Sequence, residues 1–250
     1  MPSVTIPVAE VFVRPQGEGS YSGQLMNFIR LAGCNVGKAV TPEMPSALRV
    51  LHASHPSHTV CTSGFGQSFL CDTDYRKKME LTESGLYALC NLKHACITGG
   101  EPFMHSQPVW DLLSRLPFRD ECTTEMLHVE TSGTVPIKPK IGELMRDIEA
   151  RKRIWITCSP KQGFIPENAQ YVSEWKFVVD FANTSTTFFD ELRSQMLMYQ
   201  SYGYPVPAYI QPVNPVHNLS SRGYLRALAF IREFPEYRLS LQLHKILNVP

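Results

Sequence analysis

His94-Ala95-Cys96-Ile97-Thr98-Gly99-Gly100-Glu101-Pro102 is the stretch that decides the fold. Its first five residues read as a mostly apolar strand, which two glycines and a proline then end. The next run, Gln107–Leu116, places Val109, Leu112, Leu113 and Leu116 on one helical stripe and leaves Asp111, Ser114 and Arg115 outside it. Met126–Glu130 is strand-like again, so the unit is strand, helix, strand. Working outward, further strands are expected at Arg153–Cys158, Glu174–Val179, Pro207–Pro212 and Tyr237–Leu243. Helices are expected at Thr82–Leu92, Lys140–Ala150, Thr186–Tyr199 and Ser221–Glu233. Upstream, Val8–Arg14 and Leu25–Leu31 read as two more strands around a turn punctuated by Gly17, Gly19 and Gly23.

Alternation of this kind implies an α/β fold with crossover connections and a parallel sheet. Such sheets carry their chemistry beyond the carboxyl ends of the strands. The polar motifs fall there. Thr98-Gly99-Gly100-Glu101-Pro102, Glu130-Thr131-Ser132-Gly133 and Ser159-Pro160-Lys161 each follow an apolar run, and Gln211-Pro212 and His244-Lys245 end the last two.

Composition narrows the class. The 250 residues are 43% hydrophobic and 19% charged with a formal net charge of +1, which offers no basic footprint for nucleic acid. No stretch approaches the roughly 20 apolar residues that span a bilayer, and Met1 to Ala9 does not read as a signal peptide. The expectation is one cytoplasmic domain over residues 1–250, with no membrane and no direct nucleic acid. Seven cysteines, at 34, 61, 71, 90, 96, 122 and 158, form no disulfide framework. Cys90, Cys96, Cys122 and Cys158 read as small buried or incidental thiols. Cys34 and Cys71 differ, because each sits among loop-forming Gly, Asn, Asp or Thr.

Residues 36–70 break the alternation. They contain Pro42, Pro45 and Pro56, show little periodicity, and read as a long insertion in a functional loop. His52, His55, His58 and Cys61 recur there at every third position with zinc-ligand chemistry, but Pro56 and the surrounding Ser, Ala and Thr favour a solvated loop. Elsewhere, Gln16-Gly17-Glu18-Gly19 and Arg30 supply an amide, a carboxylate and a fork-shaped cation. Glu18 suits the N–H edge of a guanidine-like heterocycle, and Arg30 suits a carboxylate. The competing reading is a hairpin turn with an exposed acid.

Taken together, these blocks resemble the 7-carboxy-7-deazaguanine synthases of the radical S-adenosylmethionine superfamily. The match includes Gln16–Gly19, Arg30–Asn35, Cys71-Asp72-Thr73, Thr98–Pro102, Glu130–Gly133, Ser159–Lys161, Ile210–Pro212 and the closing Leu239–Lys245 with Leu247-Asn248. The resemblance implies an abbreviated, partly open (β/α) barrel, dimeric, that converts 6-carboxy-5,6,7,8-tetrahydropterin to 7-carboxy-7-deazaguanine with loss of ammonia. It implies a [4Fe–4S] cluster on three cysteines, S-adenosyl-L-methionine, Mg²⁺ and a flavodoxin-like electron donor. Asp72, Gly99, Gly100, Glu101, Ser132, Ser159, Lys161 and Gln211 would then serve the cofactor, and Thr73 the Mg²⁺. Gln16, Gly17, Glu18, Arg30, Thr98, His244 and the terminal carboxylate of Pro250 would grip the pterin.

The cluster loop departs from the family. Lys38 stands where a second cysteine is expected, and Ser68 stands three residues before Cys71. The expectation is that Cys61 supplies the third thiolate with Cys34 and Cys71, since a cluster needs converging soft ligands rather than a fixed spacing. Two alternatives stay open. One uses Ser68, a histidine or another group as third ligand. The other is a clusterless pterin-binding or regulatory protein on the same scaffold.

Overall fold

The computed structural model of the protein describes residues 4–44, 46–54, 58–71, 78–182, 185–214 and 221–247. Its strands are β1 (Thr5–Pro15), β2 (Leu25–Leu31), β3 (Val60–Thr62), β4 (Ser68–Leu70), β5 (Met79–Thr82), β6 (His94–Gly99), β7 (Met126–Thr131), β8 (Ile154–Cys158), β9 (Glu174–Val179), β10 (Ala208–Pro212) and β11 (Arg238–Leu239). Its helices are α1 (Ser46–Ser54), α2 (Glu83–Leu89), α3 (Gln107–Leu113), α4 (Pro139–Arg146), α5 (Ile148–Arg151), α6 (Phe188–Ser201), α7 (Ser221–Glu233) and α8 (Leu243–Leu247).

Among the described residues, nine strands form one sheet in the order β11-β10-β9-β8-β7-β6-β2-β1-β5. From β2 to β11 every neighbouring pair is parallel, while β1 runs antiparallel to both β2 and β5 at one side. The mixed α/β fold with a mostly parallel sheet is therefore as expected.

The side-chain period of two splits each strand between two environments. Ala95, Ile97, Leu127, Val129, Ile154 and Ile156 face outward onto Leu86 of α2, onto α3 and onto α4 in one continuous core. Trp175, Phe177, Ala208 and Ile210 do the same against Phe188, Leu192 and Met196 of α6 and Phe230 of α7. The alternate positions carry Thr98, Glu130, Thr157, Lys176 and Gln211, so the opposite face is lined with polar groups beside a small apolar cluster of Met26, Phe28 and Cys96. The stripe expected on α3 is buried as read, and Ser114 joins it with its hydroxyl on the Asp111 carbonyl.

Three expectations change. Lys140–Ala150 is two helices, not one: the chain turns at Asp147, whose carboxylate accepts from the N–H groups of Glu149 (2.9 Å) and Ala150 (2.8 Å) and caps α5. Only Arg238 and Leu239 of the Tyr237–Leu243 run pair as a strand, because Leu243 begins α8. Segment 36–70 is more regular than its proline content suggests. It holds α1 and an antiparallel β3–β4 hairpin, elements too short to declare a period. Lys38 and Val60 exchange two backbone hydrogen bonds of 2.9 Å, so the chain leaves and re-enters the hairpin at one point.

Candidate active site

A cavity of about 210 Å³ opens on the polar face, at the carboxyl ends of the parallel strands. Register builds its floor. Arg30 of β2 lies beside Thr98 of β6, and Glu130 of β7 beside Thr157 of β8. Thr98 Oγ1 donates to Glu130 Oε2 at 2.6 Å, and Gln16 Nε2 donates to Glu130 Oε1 at 3.2 Å.

The glycine-rich turn between β1 and β2 folds over this floor. Gly19 adopts φ +68°, and a Cβ there would meet Glu174 Oε1 at 2.2 Å, so only glycine fits. The adjoining Ser20 N–H donates to Glu174 Oε2 at 2.9 Å. Tyr21 then packs edge-on against His128 (centroids 4.6 Å apart) and Trp155 (5.0 Å). The result is that Glu18 is not an exposed turn acid. Its side chain is 13% exposed, is ion-paired to Lys176 and accepts from Gln242 Nε2 at 3.0 Å. Burial alone would raise the Glu18 carboxyl, but Lys176, with help from Gln242 and His244, outweighs it and holds the group below its usual range. Burial also disfavours the Lys176 ammonium, and Glu18 and Glu130 overcome that and raise it.

Arg30 is held by Glu10 (3.2 Å) and lies over the Phe12 ring at 5.5 Å. Arg14 also sits over Phe12, at 4.6 Å, and lines the same cavity. Gly17 backs onto α8: its carbonyl accepts from Leu243 N–H at 3.1 Å, and a Cβ would meet His244 Nδ1 at 2.8 Å.

Cys34, Cys61 and Cys71 line the cavity wall. Cys34 Sγ accepts from Val36 N–H at 3.4 Å; burial raises this thiol, and the Val36 and Gly37 N–H groups oppose the rise. Cys61 and Cys71 share a hydrogen bond, which together with burial pushes the Cys61 thiol well up. Lys161 lines the same cavity. Its Nζ donates to Ser159 Oγ at 3.2 Å and lies 5.0 Å from the Phe69 ring centre, and burial depresses its ammonium.

Of the expected residues, Gln16, Glu18, Arg30, Thr98, Gly99, Gly100, Ser132, Ser159, Lys161, Gln211, His244 and the three cysteines line this one cavity. Glu101 lies behind the wall. It is fully buried and accepts from Thr131 Oγ1 (2.8 Å), Ser132 N–H (2.8 Å), Ser132 Oγ (2.5 Å) and Phe103 N–H (3.2 Å). Burial raises its carboxyl, and those donors oppose the rise. Gly99 and Gly100 admit the protein's own backbone. A Cβ on Gly100 would stand 1.4 Å from the Gly33 carbonyl oxygen, so the ends of β2 and β6 meet there. Asp72, Thr73 and Pro250 lie outside the described residues, as does His55.

Sequence reasoning missed Lys176, Arg14, Gln242 and the hub role of Glu130. A signal existed for Lys176, a lone lysine between Trp175 and Phe177 in a largely apolar run.

Fold and cavity define an α/β enzyme with its polar machinery at the carboxyl ends of a largely parallel sheet. The chain is similar to the 7-carboxy-7-deazaguanine synthase of Synechocystis sp., 29% identical over 99% of this chain and 95% of that protein. The synthases of Burkholderia multivorans (26%, covering 99% of this chain and all of that one) and Methanospirillum hungatei (27%, 97% and 86%) match at similar identity. Among solved structures, QueE from Escherichia coli shares the fold with a TM-score of 0.59 at 21% identity, over 95% of this chain and 94% of that one. No protein-family model matches. The chain is thus similar to the 7-carboxy-7-deazaguanine synthases along nearly its whole length, and it is an enzyme. Among the described residues no helix is long and apolar enough to cross a membrane.

Proposed function

We propose that this enzyme is a carbon–nitrogen lyase converting 6-carboxy-5,6,7,8-tetrahydropterin to 7-carboxy-7-deazaguanine, with loss of ammonia, in the biosynthesis of queuosine-type 7-deazapurines. The observation that carries the reading is the meeting of two residue sets in one cavity: three thiols on its wall, and Glu18, Arg30 and His244 around its floor and edge. On this reading the sheet is a partly open barrel, residues 36–70 are an insertion in the cluster loop, and residues 1–250 form one cytoplasmic domain.

The thiols fit an iron–sulfur cluster, being soft ligands gathered at one cavity with a cation, Lys161, beside them. When bound, a [4Fe–4S] cluster with S-adenosyl-L-methionine supplies the one-electron cleavage that starts hydrogen abstraction from substrate carbon. The chain does the rest. Glu18, kept ionised by Lys176, has lone pairs left to accept from the amino and ring N–H groups of a pterin. Arg30, braced by Glu10 and Phe12, presents its guanidinium to the substrate carboxylate. Glu130 aligns Thr98 and Gln16 beneath the ring. Gly99, Gly100, Ser132, Ser159, Lys161 and Gln211 line the side assigned to the cofactor. Glu101 holds Ser132 in place and would offer its carboxylate to the cofactor's ammonium group. Asp72, Thr73 with Mg²⁺, and the Pro250 carboxylate complete the reading from outside the described residues. A flavodoxin-like electron donor and a second copy of the chain are its partners.

The test is anaerobic turnover with the tetrahydropterin, S-adenosyl-L-methionine and a chemical reductant, with the product followed by mass. Formation of 7-carboxy-7-deazaguanine is expected, without matching consumption of S-adenosyl-L-methionine, because the substrate less ammonia already equals the product and the abstracted hydrogen must be returned. Pterin binding without that product would leave the clusterless binding protein as the better account.

A further inference from the structure

We infer that Cys61, presented by the β3–β4 hairpin, is the third thiolate of the cluster site with Cys34 and Cys71, and that Ser68 is not a ligand. The inference rests on the reading that this cavity takes a [4Fe–4S] cluster. Hairpin register separates the two candidates. Val60 pairs with Leu70, Cys61 with Phe69, and Thr62 with Ser68. Val60 and Leu70 pack with Leu48 of α1 in a small core of their own. Strand side chains alternate, so Thr62 and Ser68 fall on that side and Cys61 and Phe69 on the other. The surroundings agree. Ser68 is exposed, with its hydroxyl 3.5 Å from Thr62 Oγ1, and does not line the cavity. Cys61 is 5% exposed, lines the cavity beside Phe69, and shares a hydrogen bond with Cys71.

His58 is the other nearby donor. Its Nδ1–H donates to the Cys71 carbonyl at 2.6 Å, which secures Cys71, and the ring does not line the cavity. Among the described residues no three His, Cys, Asp or Glu groups close around a single ion. A cubane of four irons and four sulfides does not ask for that, because its thiolates attach to separate corners.

The hairpin is also anchored from behind, by contacts that involve no thiol. Gln67 donates to the Asp180 carbonyl (2.9 Å) and accepts from the Asp180 N–H (2.8 Å). Gly64 N–H donates to the Pro160 carbonyl, and Tyr199 Oη–H donates to the Gly64 carbonyl, each at 2.9 Å. Ring contacts of Phe65 with Phe177 and Tyr199 add to them. Cys61 is therefore delivered by a braced arm rather than by a short cysteine-rich loop, which accounts for a spacing of 26 residues to Cys34 and 9 to Cys71.

The experiment is anaerobic reconstitution of wild type, Cys61→Ala, Ser68→Ala and His58→Ala. Iron and sulfide are counted and the visible absorbance is recorded, with thermal melting as a check on folding. In parallel, cysteine alkylation of wild type is mapped by mass spectrometry before and after loading. The expected result is about four irons and four sulfides per chain in wild type, Ser68→Ala and His58→Ala, and a loss of more than half in Cys61→Ala. Loading should protect Cys34, Cys61 and Cys71 from alkylation together. A cluster that persists in Cys61→Ala, or alkylation of Cys61 in loaded wild type, overturns the inference and leaves the enzyme reading standing. Wild type that takes up no iron and sulfide overturns both.

Discussion

Lys176 on β9 forms a buried ion pair with Glu18, which lies 158 residues earlier in the turn between β1 and β2. Their side chains are only 10% and 13% exposed, so each charge relies mainly on the other. Lys176→Met should therefore strand a carboxylate at a cost of about 3–5 kcal/mol. Urea unfolding would measure the loss, and substrate KM should rise more than kcat falls, since Glu18 is proposed to bind rather than react. Lys176→Arg should restore part of both. A loss below about 1 kcal/mol would mean that Glu18 is solvated, contrary to the geometry.

The two glycines of opposite circumstance should separate cleanly. In Gly100→Ala the new Cβ would lie 1.4 Å from the Gly33 carbonyl oxygen, so β2 and β6 must part where the cluster loop begins. We expect a loss above about 4 kcal/mol, or no folded protein. Gly23 has φ +92° but nothing within 4 Å of an added Cβ. Gly23→Ala should cost only the left-handed backbone strain of about 1–2 kcal/mol. Melting temperatures of the pair would check the contrast.

Acid should loosen the floor of the sheet at His128. Burial first, and the nearby His94 second, lower its pKa to about 3. The two rings stand 2.9 Å apart, Nδ1 of His94 to Nε2 of His128. An unfolded histidine takes its proton near pH 6.5, so below that value the unfolded state binds a proton that the native state refuses. The resulting stability is complete above about pH 6.5 and is lost as pH falls toward 3, at about 1.4 kcal/mol for each unit. His128→Phe should flatten the pH dependence of the urea midpoint between pH 6.5 and 4. An unchanged slope would show that His128 is charged in the native state.

Gln67→Ala should act on the hairpin alone. It removes the paired hydrogen bonds to Asp180, worth about 1–2 kcal/mol together. Amide exchange should quicken over residues 60–70, while the sheet amides of β6 to β9 hold their protection. Equal acceleration in both regions would place Gln67 in the global core instead.

Much of this architecture was legible in the chain. Glu174–Val179 matches β9 residue for residue, and Leu25–Leu31 matches β2, because each run is apolar on a strand period and bounded by turn residues. The polar motifs after the strands did collect at one cavity. What stayed hidden depends on register between distant segments. Alternation puts Lys176 on the polar face, but only the sheet order and the inward turn at Gly19 bring it to Glu18. Likewise Gly99 and Gly100 read as room for a ligand, whereas the close neighbour is the backbone of Leu31 and Gly33. Thiolate chemistry already favoured Cys61 over Ser68 in the sequence, but only hairpin pairing puts the two on opposite sides.

The bridge between Lys38 and Val60 makes residues 39 to 59 a pinched-off excursion. The two ends of that excursion stay fixed whatever its length, and doubling a flexible loop costs only about 0.6 kcal/mol of closure entropy. Sulfur placement thus depends on the excursion's own contacts, Leu48 in the hairpin core and His58 and Thr59 on Cys71, rather than on its length. Extra residues spliced in near Ser54, such as an epitope or a tether to an electron donor, should leave the reach of Cys61 untouched.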